Sequence, residues 1–198
     1  SKGVNKTQTK YSASIEAIPT CDEKEESVEL FETYTFGSLD LDGITREIAA
    51  RLDDVSAREN AIKPEVKLDC PVILNAYELK TFFEEIASDA NYASVYMNSS
   101  LHKEGDLWQT SPNGDSLNIT MRGVIEGRAY SNLFDREGTS LNDRKIIENG
   151  KIIAGYGTNR FAQYLGKEPT GALQCMDVEC GKTPVSEILA SPHLECVY

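Results

Sequence analysis

The chain has 198 residues and a mass of 21.9 kDa, enough for one domain or two small ones. Hydrophobic residues make up 40% and charged residues 26%, an ordinary globular composition that argues against a wholly disordered chain. Lys and Arg total 20 against 32 Asp and Glu, and the resulting net charge of −12 disfavours a binder of duplex DNA or anionic membrane, which needs a clustered cationic face.

Residues 11–18 (YSASIEAI) alternate Tyr11, Ala13, Ile15 and Ala17 on one face. Residues 28–36 (VELFETYTF) place Val28, Leu30, Tyr34 and Phe36 on one side, with Glu32 interrupting the stripe. The period of two and the β-branched and aromatic content predict two strands. They would form an antiparallel hairpin across a solvated acidic connector, CDEKEES, at residues 21–27. A helix follows, with Asp42 as candidate cap and Ile44, Ile48, Leu52 and Val55 as one apolar stripe. Arg46, Glu47, Arg51 and Asp54 make its charged face. The polar stretch 56–64 ends in Pro64, which suggests a boundary near residue 62.

The second half opens with a predicted strand over 66–74, whose end, Pro71 to Leu74, is apolar and expected to be buried with Cys70 as a core thiol. Asn75 and Glu78 have capping-box spacing, and Leu79, Phe82, Phe83 and Ile86 form the apolar face of a second helix. Residues 98–114 are a polar loop in which Leu107 and Trp108 stand alone, with Trp108 a plug at the core edge or a contact anchor. Strands are predicted at 116–121 and near 129–134.

In KIIENGKIIAGY two apolar pairs, Ile146/Ile147 and Ile152/Ile153, flank Asn149-Gly150. Asn-Gly supplies the two positive φ angles of a type I′ turn, so a tight hairpin is predicted. A short helix from Thr158 or Asn159 to Leu165 stops at Gly166, a strand covers 172–179, and Thr183-Pro184 starts a last helix through Leu189. Helices inserted between hairpins, without a βαβα rhythm, predict an α+β fold with a largely antiparallel sheet.

Chemical signatures are sparse. There is no GxSxG, HExxH or P-loop pattern. His102 and His193 read as loop or turn histidines, and no second histidine lies near either in the sequence. The five cysteines (Cys21, Cys70, Cys175, Cys180 and Cys196) include no CxxC and suit a reducing compartment. The acidic connector lacks the glycine and ligand spacing of a calcium loop. No apolar run approaches the roughly 20 residues of a membrane-spanning helix, nothing resembles a signal peptide, and a cytoplasmic location is expected. A start without Met and an apolar end at residues 195–198 suggest an internal piece of a longer protein.

The ordered set of segments resembles the TldD/PmbA (TldD/TldE) peptidase family, also called modulators of DNA gyrase, and the PmbA (TldE) branch in particular. YSASIEAI, LDLDGITREIAARL and PVILNAYELKTFFEEIAS carry the likeness in the first half. FDREGTSLNDRKIIENGKIIAGYGTNRFAQYLGKEPTGA carries it in the second. The resemblance implies that residues 1–62 end the family's middle domain and that 63–198 begin its C-terminal domain.

In the TldD branch the helix after the apolar strand carries HExxxH, two zinc-binding histidines and a glutamate that activates water. The resemblance places Asn75 and Lys80 at the histidine positions and Ala76 at the glutamate. Asparagine is a poor zinc ligand, alanine cannot act as base, and a protonated lysine has no lone pair. No catalytic, cofactor-binding or metal residue is therefore expected in this chain. The family likeness implies a non-catalytic subunit, a zinc-bearing TldD-like partner, and peptide or unfolded-protein substrates. An alternative reading is a stand-alone acidic module that sequesters a basic peptide or protein. A relocated metal site would need His102, His193 and a cysteine from separate loops.

Overall fold

A computed structural model describes residues 3–24, 26–63, 65, 67, 69–74, 76–110, 114–190 and 194–195. β1 (Ala13–Ala17), β2 (Thr20–Cys21), β3 (Val28–Glu29) and β4 (Glu32–Phe36) form the first hairpin. β1 and β4 pair antiparallel from Ala13↔Phe36 to Ala17↔Glu32, and β2 and β3 continue the arm with Thr20↔Glu29. The ladder breaks at Pro19, which has no N–H to donate, although its carbonyl accepts from Leu30 N–H at 3.0 Å. Tyr11 lies outside the strand and is exposed.

α1 (Leu41–Asn60) packs on this hairpin. Its cap is Asp40 rather than Asp42: the Asp40 carboxylate accepts from Gly43 N–H at 2.9 Å, while Asp42 sits in the first turn, where a negative charge suits the helix dipole. Val55 is buried and Ile44 and Ile48 are half-buried, but Leu52 is exposed. Arg51, assigned to the solvent face by the sequence pattern, is instead drawn inward. The interruption at Glu32 is the cause, because its carboxylate is 5% exposed and meets Arg51 Nε at 3.6 Å.

The strand predicted over 66–74 contracts to β5 (Val72–Ile73), where Val72 is exposed. Cys70 is likewise exposed and is no core thiol; Pro64, Val66 and Leu68 lie outside the described residues. α2 (Ala76–Asp89) buries Ile86 and Ala87, with Phe83 half-buried beside them. A short α3 (Tyr92–Tyr96), which five residues of weak periodicity did not announce, is capped by Asn91 accepting from Ala93 N–H at 2.9 Å.

The core sheet consists of β6 (Ile119–Arg122), β7 (Arg144–Glu148), β8 (Lys151–Ile152) and, after α4 (Asn159–Leu165), β9 (Cys175–Val178). Its order is β8-β7-β6-β9 and every pairing is antiparallel. Neighbouring Ile146 and Ile147 point to opposite faces, yet both are fully buried, so β7 is covered on both sides. Asn149 (φ 49°) and Gly150 (φ 74°) form the type I′ turn, and Gly166 ends α4 in the left-handed region. α5 (Val185–Ala190) is exposed along its length, and β10 (Leu194–Glu195) pairs with β5 in parallel, whereas the other strand pairs of the described residues in this α+β fold are antiparallel.

Residues 129–134 form no strand; Phe134 makes one isolated bridge to Ser140. The Asp135 carboxylate collects the N–H groups of Glu137, Thr139 and Ala172, and so folds the stretch into a compact loop. The N-terminal segment runs along that loop: Lys6 reaches Ser140 Oγ at 2.8 Å and Gln8 accepts from Leu133 N–H at 2.8 Å.

Candidate functional site

The start of α2 is where the sequence directs attention. Asn75 lies outside the described residues, Ala76 opens the helix, and Lys80 stands on its outer face. Lys80 is well exposed and its Nζ is 3.9 Å from Glu84 Oε1, one turn on. A methyl group and an ammonium offer no donor to a cation, so Ala76 and Lys80 do not suit zinc. His193 falls outside the described residues.

His102 is not a free loop histidine. Its Nδ1 lies 2.7 Å from Asp89 Oδ2, at the C-terminal end of α2. The same carboxylate accepts from Leu101 N–H at 2.8 Å and from Trp108 Nε1–H at 3.4 Å. Burial alone would raise the Asp89 pKa, but the bonds from His102, Leu101 and Trp108 outweigh it and hold the group below the ordinary carboxylate range. The loop so tied covers the edge of β8: Gly105 N–H donates to Ile152 O at 2.8 Å and Ile152 N–H to Asp106 O at 3.0 Å. Trp108 packs against the core and meets Phe82 edge to face at 5.9 Å. The sequence carried one sign of this cluster. An acidic residue in the last turn of a helix opposes the dipole and calls for a partner.

A cleft opens where α2 and α3 meet the sheet. The corner at Ala90–Tyr92 is stitched to Tyr156, with Tyr92 N–H donating to Tyr156 O at 2.7 Å and Tyr156 N–H to Ala90 O at 3.0 Å. Tyr92 lies against the glycines on either side of Tyr156. A Cβ at Gly155 would sit 2.6 Å from the Tyr92 ring and one at Gly157 2.8 Å from Tyr92 Cβ, which accounts for the Gly-Tyr-Gly sequence. Two adjoining cavities, of about 280 and 240 Å³, share Asn91, Tyr156, Leu173 and Gln174. Met121 and Met176 line the first and Phe161 the second. Burial pushes the Tyr156 phenol up, the Glu84 carboxylate adds to the effect, and a hydrogen bond with Asn91 partly offsets it. Neither Asn91 nor Tyr156 was marked by a motif, because the cleft is assembled from distant segments.

One further group of potential ligands occurs among the described residues, formed by Cys21, Glu23 and Glu59. Glu59 is buried, and its carboxylate accepts from Glu23 N–H and Lys24 N–H at 3.0 Å each and from the Cys21 thiol at 3.2 Å. The bond to Glu59 is the largest influence on that thiol and raises its pKa, with burial adding to it. The arrangement pins the acidic tip to the end of α1.

Residues 67–191 match the family model of the PmbA/TldA metallopeptidase C-terminal domain. Among solved structures, TldE from Thermococcus kodakarensis superposes with a TM-score of 0.70 at 16% identity, covering 90% of this chain and 43% of its own. A proposed DNA gyrase modulator from Thermotoga maritima gives a TM-score of 0.65 at 18% identity, over 90% of this chain and 42% of its own. A similarly described protein from Bacteroides thetaiotaomicron gives 0.62 at 17% identity, over 90% and 40%. The chain thus spans less than half the length of each of these structures, and at such identities the likeness concerns the fold. No curated protein matches it by sequence.

Proposed function

The chain belongs to the PmbA/TldA metallopeptidase family, and from that premise we propose that it is a TldE-like, non-catalytic part of a TldD/TldE-type zinc peptidase. Residues 1–62 would end the middle domain and 63–198 would begin the C-terminal domain. The observation that carries the reading is Lys80. Where the resemblance expects a zinc-binding histidine, α2 presents an exposed ammonium beside Glu84. A cation there would meet a like charge, and Ala76 has no group with which to activate water.

Zinc would then belong to a TldD-like partner, and the substrates would be peptides or unfolded proteins in the cytoplasm. This chain would help to enclose the reaction space and offer strand edges to extended polypeptide, and β9 ends its sheet with one side unpaired among the described residues. No helix of the described residues is long and apolar enough to cross a membrane.

The test combines metal analysis with proteolysis. The 198-residue chain is dialysed against zinc, its bound metal is counted, and cleavage of an unfolded substrate is followed with and without a TldD-type protein. Negligible stoichiometric zinc and cleavage only with the partner are expected. One tightly held zinc per chain with turnover by the chain alone would overturn the reading.

A further inference from the structure

We propose that the cleft between α2 and β9 receives one basic side chain, lysine before all, of an extended polypeptide lying along β9. The idea deepens the peptide-handling role proposed above and rests on it. The first of the two adjoining cavities, at about 280 Å³, has room for a single long side chain. Its walls are aliphatic where a lysine stem would run: Ala87, Met121, Leu173 and Met176. Methionine walls adapt to an unbranched chain without demanding one shape.

Polar groups collect beside those walls. Among the described lining residues of the two cavities no Lys, Arg or His occurs, and Glu84 is the one charged group. Gln174 adds a neutral oxygen acceptor. An acidic guest would oppose Glu84 and a neutral one would gain nothing from it, whereas an ammonium would meet it. Glu84 has a standing neighbour in Lys80, but at 3.9 Å between two mostly exposed side chains that pair is weak and easily exchanged. The net charge of −12 further favours a basic partner at long range. Backbone register comes from β9, which among the described residues pairs with β6 on one side and with nothing on the other. Leu173 and Met176, near and within this strand, line the cavity, so a peptide on its free edge lies beside the opening.

Fluorescence anisotropy on the 198-residue chain tests the proposal, using labelled ten-residue extended peptides that differ only in one central residue: lysine, norleucine or glutamate. Lysine should bind about fivefold more tightly than norleucine, the gain of one charge pair near a surface, and glutamate most weakly. Glu84→Gln, at an exposed position that leaves the core intact, should erase the lysine preference. Lys80→Ala should preserve or enlarge it. Equal affinity for the three peptides, a preference that survives Glu84→Gln, or no binding in the micromolar range would overturn the proposal. Partner-dependent cleavage of an unfolded substrate without lysine preference would sink the pocket alone and leave the peptidase reading standing. Lysine preference in a chain that binds and uses zinc by itself would do the reverse.

Discussion

Asp89 ties a whole loop to a helix through one side chain. It is 9% exposed, and it holds the 98–110 loop to α2 through the Leu101 N–H, His102 and Trp108. Removing the carboxylate takes the acceptor from three half-buried bonds at once, so Asp89→Ala should cost about 1–2 kcal/mol, while Asp89→Asn, which keeps one carbonyl acceptor, should cost less. The pH dependence follows from the lowered pKa. A carboxylate that is more acidic when folded adds stability fully present above its unfolded pKa of about 3.9 and lost as pH falls through the folded value. Urea titrations of wild type and Asp89→Asn at pH values from 3 to 7 should therefore show a gap that is constant near neutrality and narrows towards the acid end. A gap indifferent to pH would mean that the carboxylate charge has no part in the latch. Glu32 makes a parallel case on the hairpin: Arg51→Ala deprives a buried carboxylate of its ion-pair partner and should cost about 2 kcal/mol. The double variant Glu32→Leu/Arg51→Leu should recover much of that loss in the same unfolding assay.

Elements whose geometry is set by a few adjacent residues were legible in the sequence. The β7–β8 hairpin is the clearest, because only a type I′ turn accommodates two successive positive φ angles, and Asn149-Gly150 supplies them. Gly150→Ala is accordingly expected to cost about 2 kcal/mol, since its φ is 74° and a new Cβ would lie 2.6 Å from Gln109 Cβ. A thermal melt reads the effect; an unchanged midpoint would mean that the turn relaxes freely. The α4 stop at Gly166 was legible from equally local chemistry, and the antiparallel pairing of β1 with β4 from the alternation of their residues. What depends on distant neighbours was not legible. The apolar run at 71–74 looks like a buried strand, yet Val72 stays exposed beside a two-residue parallel partner. Likewise 129–134 has strand-like composition, but Asp135 gathers backbone N–H groups from two segments and forms a loop. For the candidate site, the helix that carries Lys80 was legible in the sequence, whereas Tyr156 and Asn91 meet where Tyr92 lies over Gly155 and Gly157.

At the scale of the molecule, a thin seam joins the N-terminal segment and the end of β4 to the loop at 127–140. Gly37 N–H donates to Gly127 O at 2.8 Å, and Lys6, Gln8 and Lys10 reach Ser140, Asn132 and Ala129 across 119 to 134 residues of chain. These bonds are exposed or half-buried, and the segment that makes them adds little apolar burial, so each contributes only modestly against water. The central sheet, by contrast, is held by Ile119, Ile146, Ile147 and Ile152, all at most 1% exposed. Global unfolding should therefore be governed by the sheet, while the loop at 129–141 opens more easily and depends on its N-terminal strap. Deleting residues 1–10 should leave the thermal midpoint within a few degrees of the full chain, since none of the described residues 3–10 is buried. Amide hydrogen exchange should meanwhile accelerate at Leu133, whose N–H loses its Gln8 acceptor, with the amides of β6 and β7 keeping their protection. Collapse of protection throughout the sheet would show that the strap is integral to the core, and unchanged exchange at Leu133 would show that it is not attached in solution.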